Sequence, residues 1–353
     1  MTTTGPAASA HHAVEAGFDV VTLGESMVAF APSVPGRLAD VPSFHRGIGG
    51  AESNVACVLA AAGHTVRWVS RVGADGFGDH LVQAIGAYGV DTTAVRRDTE
   101  RPTGIYFRTA GDRAGDDHEV AYYRAGSAAS AMTAENMDLA AIRSGRVLHL
   151  SGITPALSAG CLALTADLTA RTPAARPVVS FDVNHRPGLW SRADDARVLL
   201  DLARGADLVF VGEDEAEDAW GITGGPDAIR AALPEPATLV VKRGADGAVA
   251  YDKDGVRHTE PAPRVDVVAA VGAGDAFAAG YLSGALRGLP VRARLRHGHL
   301  MAAAALTVPG DLAAPPSRAL ADRLADLDDA AWGTLHLGPG WTADGAVEEG
   351  RTS

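Results

Sequence analysis

The sequence predicts an α/β protein in which a mainly parallel sheet is covered by helices on both faces, with a small β-sheet beside it. Short apolar runs alternate with helical patterns along the chain, and those runs are continuous rather than alternately polar and apolar. Continuous apolar strands are typical of parallel sheets that are buried on both faces. Two segments, near 29–46 and 104–124, break this rhythm with the pattern of half-buried strands.

The alternation assigns the main elements in chain order. Buried strands are predicted over 18–23, 67–72, 147–150, 178–182, 208–211 and 239–242. Helices are predicted over 53–62, 77–88, 159–170 and 192–204. Gly89 directly follows the second of these helices and ends it, because glycine readily adopts the left-handed conformation of a helix C-terminus.

The segment 104–124 predicts a β-hairpin. Residues 105–108 and 120–124 have the strand pattern, and the polar residues 111–118 form the loop between them. With 29–46 they predict a small antiparallel sheet, which is suited to act as a lid over a cleft at the strand ends. An edge hairpin that closes nothing is the alternative interpretation of the same pattern.

Composition excludes several classes of protein. The 353 residues carry a net charge of −12, which disfavours nucleic acid as a partner. No uncharged apolar run reaches the roughly 18 residues of a membrane span, and two cysteines cannot build a disulfide framework. We expect a cytoplasmic protein with a disordered leader over 1–17, one domain over 18–330 and a flexible tail over 331–353.

The glycine-rich segments do not match the common nucleotide-binding loops. The chain has two lysines, Lys242 and Lys253, and neither stands between Gly and Ser or Thr as in a P-loop. The spacing G-x-G-x-x-G is also absent, which disfavours an NAD-dependent dehydrogenase. A binding regulator without catalytic activity remains an alternative.

Residues 272–275, with the sequence G-A-G-D, open a predicted helix. Small residues at a helix N-terminus leave the backbone N–H groups open to an anion, and the helix dipole favours negative charge there. Asp275 lies in the first turn, where a carboxylate is also a common capping residue. A capped and tightly packed helix is therefore the alternative interpretation.

Two further clusters point to the carboxyl edge of the sheet. Asp182, Asn184 and Arg186 follow a buried strand, at the edge where open parallel sheets bind ligands. Residues 47–54 precede a helix, and their glycines allow the backbone to approach a ligand closely. Plain helix capping by Ser53 or Asn54 is the alternative for the second cluster.

One lid strand carries a third pair of candidates. Tyr122 and Arg124 are two residues apart, so a strand places them on one face. That face could present an aromatic ring and a guanidinium group to the cleft. A solvated arginine is the alternative.

These segments together resemble the ribokinase-like family of carbohydrate kinases, over about 18–327. The resemblance depends on two separated signatures: residues 49–56, G-G-A-E-S-N-V-A, followed by Gly63 and Gly73, and residues 272–277, G-A-G-D-A-F. It implies a three-layer αβα fold with a β-sheet lid. It also implies sugar phosphorylation with ATP and Mg²⁺. We expect a homo-oligomer.

The resemblance also assigns roles to the motif residues. Asp275 would take the proton from the accepting hydroxyl, and Gly272, Ala273 and Gly274 would form the anion hole. The sugar pocket would be lined by Gly50, Ala51, Glu52, Ser53, Asn54, Tyr106, Tyr122, Arg124, Asp275 and Asp311. The ATP site would be bordered by Asn184, Arg186, Lys242, Gly244 and Gly247, together with residues 272–275.

Within the family, the chain is most similar to kinases of the sugar acid 2-keto-3-deoxygluconate. The supporting segments are 122–130, 149–158, 182–186 and 310–311. We therefore expect the terminal hydroxyl of this acid to be phosphorylated, which gives the 6-phosphate. A fructokinase or another neutral-sugar kinase is the alternative.

Two departures from the family pattern concern metal ions. Many members have Asn-x-x-Glu near the phosphates, whereas residues 212–215 read G-E-D-E and keep only Glu215, the expected indirect contact to Mg²⁺. Residues 269–271, A-A-V, stand where many members have the Asp and Thr of a monovalent-cation site. Dependence on potassium is therefore doubtful.

Overall fold

A computed structural model describes residues 17–109, 119–172, 176–190 and 195–343. The strands are β1 Phe18–Leu23, β2 Met27–Pro32, β3 Phe44–Gly49, β4 Val66–Val69, β5 Arg71–Gly73, β6 Arg96–Asp98, β7 Ile105–Arg108, β8 Val120–Tyr123, β9 Gly145–Ser151, β10 Val178–Asp182, β11 Leu208–Gly212, β12 Thr238–Lys242, β13 Ala248–Tyr251, β14 Arg257–Glu260, β15 Arg264–Val265 and β16 His336–Leu337. The α-helices are α1 Ala51–Ala61, α2 Gly76–Ala87, α3 Leu139–Ile142, α4 Ala159–Thr169, α5 Asp195–Gly205, α6 Glu213–Trp220, α7 Gly225–Ala232, α8 Ala273–Leu286, α9 Val291–Leu306, α10 Arg318–Ala325 and α11 Asp329–Gly333.

Eight strands form the central sheet, in the order β14-β13-β12-β11-β10-β9-β1-β4. The strands from β12 to β4 are parallel to one another, and β13 and β14 extend the sheet in antiparallel pairing. The chain runs from β1 to β4 on one side and then returns to β9 on the other. Such a reversal opens a crevice at the carboxyl ends of the two strands, here β1 and β9.

Helices cover both faces of this sheet because successive strand residues point to opposite sides. Val20 and Val147 belong to the apolar core that includes side chains of α1, α2, α8 and α9. Val21 and Leu148 belong to the core that includes side chains of α4, α5, α6 and α7. The predicted three-layer arrangement is confirmed. Among the described residues, no helix combines the length and apolar character needed to cross a bilayer.

A second sheet, the lid sheet, consists of four strands in the order β3-β2-β7-β8. The pairs β2–β3 and β7–β8 are antiparallel, which confirms the hairpin over 105–124, whereas β2 and β7 are parallel. The expectation of a wholly antiparallel sheet is therefore wrong. The centre is parallel because residues 33–104, which include α1 and α2, separate its two strands. The hairpin loop over 111–118 lies outside the described residues.

The predicted strand over 67–72 is in fact two strands. Strand β4 lies in the central sheet, whereas β5 pairs with β6 in a separate ladder. The break falls at Ser70, whose carbonyl oxygen accepts a hydrogen bond from the Arg96 N–H at 2.9 Å. The chain thus leaves the central sheet at that residue. Residues 192–194 of the predicted helix over 192–204 lie outside the described residues.

The C-terminal segment is packed as far as residue 343, so the expectation of a flexible tail from 331 is wrong there. Trp332 and Trp341 are buried in an apolar cluster with α9 and α10, and β16 pairs with β15. The Trp332 indole donates to the Pro261 carbonyl oxygen at 2.9 Å, and the Arg296 guanidinium lies 4.6 Å from its ring. The segment packs against the core despite its polar composition, because burial of these two large aromatic rings is strongly favourable. The rest of the predicted tail and leader, 344–353 and 1–16, lie outside the described residues.

Replacing Trp332 with alanine removes a fully buried indole. We expect the free energy of unfolding to fall by about 3–5 kcal/mol, because lost contacts and the cavity add. Urea unfolding measures this change. Val256→Ala, at a side chain that is 52% exposed, is the control and should change stability by less than about 0.5 kcal/mol. Similar small changes in both variants would show that the C-terminal segment contributes little to the core.

Candidate active site

A cleft of about 560 Å³ opens where the carboxyl edge of the central sheet meets the lid sheet. Its walls come from the loops after β1, β9 and β10, from the lid strands and from the start of α8. The predicted site residues that line it are Gly50, Ala51, Asn54, Tyr106, Tyr122, Arg124, Asn184, Arg186, Gly272, Asp275 and Asp311. Segments that are far apart in the sequence therefore meet at one place.

Asp275 lies in the first turn of α8 and lines the cleft. The Asn54 side-chain amide donates to its Oδ2 at 2.9 Å. Burial, reinforced by the nearby Asp182 carboxylate, raises the pKa of Asp275 to about 7, although the hydrogen bond from Asn54 opposes the rise. A carboxyl group with a pKa near neutral is suited to accept a proton. Gly272 is the N-cap of α8 and Asp275 is bound by Asn54, so the interpretation of Asp275 as a plain cap is wrong.

The start of α8 requires a glycine at position 272. Gly272 has a φ of +74°, and a Cβ atom there would lie 2.2 Å from the Asp311 carbonyl oxygen. Ala273 and Gly274 follow in the first turn, where backbone N–H groups have no acceptor within the helix. An anion at this end of the cleft would meet those donors and the positive end of the helix dipole.

Lys242 lies under the start of α8 and is not among the side chains that line the cleft. Its ammonium group donates to both Asp182 oxygens, at 2.9 and 3.0 Å, and Glu215 Oε2 lies 3.9 Å away. Burial lowers the pKa of Lys242, but the Asp182 carboxylate outweighs this effect and the pKa is raised overall. The ammonium group therefore stays charged and places a fixed positive charge near Asp275.

Asn184 and Arg186, two further predicted nucleotide residues, also line the cleft. Asn184 has a φ of +39°, and it is the one non-glycine residue with left-handed φ among those described. Such strained conformations concentrate at functional sites. Arg186 Nη1 lies 3.8 Å from Glu215 Oε1, while Glu215 Oε2 accepts from the Gly212 N–H at 2.7 Å.

Gly244 and Gly247 belong to the turn between β12 and β13 and do not line the cleft. Their assignment to the ATP site stays a prediction. So does the assignment of Glu215 to the metal, since no group of three or more metal-binding side chains occurs in the described parts of the chain.

Glu52 and Ser53 do not face the cleft, so their assignment to the sugar pocket is wrong. Both are fully buried. Glu52 Oε1 accepts from the Ser151 and Thr154 hydroxyls at 2.9 Å, and burial raises the pKa of Glu52. The Ser53 hydroxyl donates to Ser26 Oγ at 3.0 Å. Residues 51 and 54 share one face of α1, and the two residues between them turn toward the sheet.

The lid contributes two stacked tyrosines. The Tyr106 and Tyr122 ring centroids are 5.6 Å apart, and the Tyr106 hydroxyl donates to Asp311 Oδ2 at 3.1 Å. Arg108, which the sequence analysis missed, places Nη2 2.8 Å from Asp311 Oδ1. Its position two residues after Tyr106 on one strand is the signal that could have identified it.

Arg124 directly follows β8 rather than lying within it. Its guanidinium lies 5.9 Å from the centroid of the Tyr122 ring and forms an ion pair with Glu25. The side chain is only 12% exposed, so the interpretation of a solvated arginine is wrong. Glu25, also missed, accepts a hydrogen bond from the Ser127 hydroxyl at 2.5 Å. Its place two residues after β1, at the ligand-binding edge, is the signal that points to it.

Two amide oxygens in the cleft have no hydrogen-bond partner. They are Oδ1 of Asn54 and Oδ1 of Asn184, and both atoms are buried. Buried acceptors are nearly always paired in folded proteins. These two are therefore suited to receive hydrogen bonds from the hydroxyl groups of a ligand.

Comparison with known proteins identifies the family. Residues 18–318 match the description "pfkB family carbohydrate kinase". The chain belongs to this family. It is 38% identical over 305 residues to the 2-dehydro-3-deoxygluconokinase of Bacillus subtilis, an alignment that covers 85% of this chain and 93% of that one. To fructokinase-1 of Zea mays it is 34% identical over 264 residues, or 73% and 80% of the two chains.

A solved structure agrees with the family assignment. The crystal structure of 2-dehydro-3-deoxygluconokinase from Thermotoga maritima is similar with a TM-score of 0.77 and 27% identity, covering 88% of this chain and 99% of that one. The predicted family and the ribokinase-like fold are thus confirmed. The protein is a carbohydrate kinase.

Replacing Asp275 with asparagine tests its role as the base of this kinase. The amide is isosteric, so we expect the fold and Tm to be kept. Turnover should fall by about 10²- to 10⁴-fold, the usual contribution of a general base. A coupled assay of ADP release measures the change. Turnover within threefold of the parent would exclude Asp275 as the base.

The pH dependence of kcat/KM tests the same group independently. Asp275 accepts a proton only as the carboxylate, and its pKa is raised to about 7. Activity should therefore be lost as pH falls through 7, by about tenfold per pH unit on the acid side. A thermal unfolding curve at each pH controls for loss of the fold. A level profile between about pH 5.5 and 8 would contradict this assignment.

Proposed function

We propose that this kinase uses ATP to phosphorylate the terminal hydroxyl of 2-keto-3-deoxygluconate, which gives 2-keto-3-deoxy-6-phosphogluconate. The observation that carries the proposal is that one cleft holds both Asp275, with a pKa near neutral, and Arg124, a largely desolvated cation. The proton acceptor can deprotonate the substrate hydroxyl, and the cation can bind the carboxylate of a sugar acid. The Bacillus subtilis and Thermotoga maritima relatives, which are named for this acid, support the choice.

In the proposed reaction, removal of a proton accompanies attack by the substrate hydroxyl. The Asp275 carboxylate takes the hydroxyl proton as the substrate oxygen forms a bond to the γ-phosphorus of ATP. The bond from that phosphorus to the bridging oxygen breaks, and ADP leaves with the electron pair. Phosphoryl transfer depends mainly on positioning and charge stabilisation, and the cleft supplies both without a nucleophilic side chain.

Positive charge on the nucleotide side would stabilise the transferred group. The first-turn N–H groups of α8 provide donors, Lys242 provides a fixed charge below them, and Arg186 provides a cation that lines the cleft. Preorganised donors of this kind act most strongly where charge develops during the reaction.

Magnesium fits the nucleotide side of the cleft, with Glu215 as the protein's indirect contact. Both Asp182 oxygens are engaged by Lys242, whereas Glu215 Oε1 faces Arg186 at 3.8 Å. Mg²⁺ in such sites is held mainly by phosphates and water and needs only one or two carboxylates. When bound, Mg²⁺ would neutralise part of the phosphate charge.

Arg124 is the proposed contact for the substrate carboxylate. Arginine has five N–H donors in a planar fork that matches carboxylate geometry. Glu25 contacts Arg124 through Nη2, and the guanidinium fork has further N–H donors. Donors therefore remain for a second carboxylate. The unpaired oxygens of Asn54 and Asn184 are proposed to receive the sugar hydroxyls.

A neutral-sugar kinase is the second candidate function, and the Glu25 contact favours it. Because Glu25 already neutralises Arg124, the cleft can hold an uncharged ligand without an unpaired buried cation. The fructokinase relative agrees with this candidate. The two functions differ in whether the substrate must carry a carboxylate.

Substitution of Arg124 distinguishes the two candidates. Arg124→Ala should lower kcat/KM for 2-keto-3-deoxygluconate by the equivalent of roughly 2–5 kcal/mol. Removal of one partner of a buried charge pair has a typical effect of this size. Arg124→Lys should also be harmful, because lysine lacks the bidentate geometry. The loss with fructose should be far smaller. ADP release from each variant on each substrate measures these effects.

Arg143→Ala is the control for this experiment. Arg143 forms an ion pair with Asp167 at 2.8 Å outside the cleft, so its loss should leave both substrates unaffected. Equal losses on the acid and on fructose in Arg124→Ala would mean that carboxylate recognition lies elsewhere. Faster turnover of fructose than of the acid by the parent would favour the second candidate.

A further inference from the structure

Asp311 lies between the lid sheet and the core and has partners on both sides. On the lid side, Arg108 Nη2 lies 2.8 Å from its Oδ1, and the Tyr106 hydroxyl donates to its Oδ2 at 3.1 Å. The Arg108 and Asp311 side chains are only 14% and 9% exposed. The ion pair is therefore largely shielded from solvent. Charge interactions in such a shielded position are stronger than at the surface.

On the core side, the backbone of Asp311 contacts the start of α8. The Asp311 carbonyl oxygen is so close to Gly272 that a Cβ atom there would lie 2.2 Å from it. Gly272 is the N-cap of α8, and its carbonyl oxygen accepts from the Ala276 N–H at 2.9 Å. A shift of residue 311 would therefore be transmitted to the turn that holds Asp275.

A second glycine allows the lid side of this arrangement to form. A Cβ atom on Gly49 would lie 2.2 Å from the Tyr106 hydroxyl oxygen and 2.9 Å from Asp311 Oδ2. The absence of side chains at Gly49 and Gly272 thus permits Asp311 to contact the lid and the helix at once. Arg108 itself is not among the residues that line the cleft.

We propose that Arg108 is a positioning residue that couples the lid sheet to the anion-binding start of α8 through Asp311. Its guanidinium fixes the Asp311 carboxylate, and the Asp311 backbone fixes Gly272. Loss of Arg108 removes the guanidinium that faces the shielded Asp311 carboxylate, which favours movement of residue 311 toward water. Both the lid strand and the first turn of α8 then lose their restraint.

Hydrogen exchange of the protein without ligands tests the coupling directly. Arg108→Met keeps an unbranched apolar side chain and removes the charged guanidinium. We expect amide exchange to become about tenfold faster both in β7 and at Ala276. Arg176→Met is the matched control. Arg176 forms an ion pair with Asp207 at 2.7 Å and its side chain is 11% exposed, but it precedes β10 and so lies at the amino ends of the strands, away from the cleft. It should change neither segment.

Faster exchange confined to β7 would overturn the proposal, since it would show that Arg108 only stabilises the lid. Unchanged exchange in both segments would overturn it as well. Arg108→Lys retains the charge and should restore at least part of the protection at Ala276. If it restores none while Arg108→Met accelerates both segments, the effect comes from the side chain's packing and the proposed charge coupling is wrong.

Kinetics provide a second readout that rests on the proposed function. In Arg108→Met we expect KM for the sugar acid to rise about tenfold and kcat to fall about tenfold, with KM for ATP within about twofold of the parent. A purely structural role would lower Tm and leave these constants unchanged at a temperature where the variant is folded. Failure of the parent to use the acid would contradict the proposed function, whereas the exchange experiment would still decide the coupling.

Discussion

The position of helix α8 determines what the active site can do, and close packing against α9 fixes that position. A Cβ atom on Gly280 would lie 2.4 Å from the His297 carbonyl oxygen, and one on Gly298 would lie 2.9 Å from the Phe277 ring. The two helices therefore approach more closely than side chains at those positions would allow. Since interiors packed this densely leave little room for movement, the first turn of α8 and Asp275 are held against the edge of the sheet.

The charges around that turn are arranged so that a carboxylate can work as a base near neutral pH. Burial and Asp182 favour the protonated form of Asp275, while Asn54, Arg186 and Lys242 favour the ionised form. The first set outweighs the second, which raises the pKa to about 7. A fully solvated aspartate would be too weak a base, and one without cations nearby would stay protonated.

The sequence was sufficient to predict the six parallel strands of the central sheet, the helices on both of its faces and the glycine-rich turns, because these depend on local pattern. It did not predict the antiparallel strands β13 and β14. It was less informative about contacts made between distant segments. The pairing of Arg124 with Glu25 depends on how two loops meet, and neither residue alone indicates it. Glu52 was wrongly assigned to the sugar pocket because the motif does not indicate which of its residues lie on the cleft-facing side of helix α1. The error after residue 330 arose because overall composition hid two buried tryptophans.

The unpaired oxygens of Asn54 and Asn184 have a consequence for the lifetime of the protein. A buried acceptor without a donor costs roughly 1–3 kcal/mol, and a ligand that supplies hydroxyl groups removes this cost when it binds. A ligand that binds only the folded chain shifts the unfolding equilibrium by mass action. Bound sugar would therefore reduce the fraction of the protein that is unfolded and open to proteolysis.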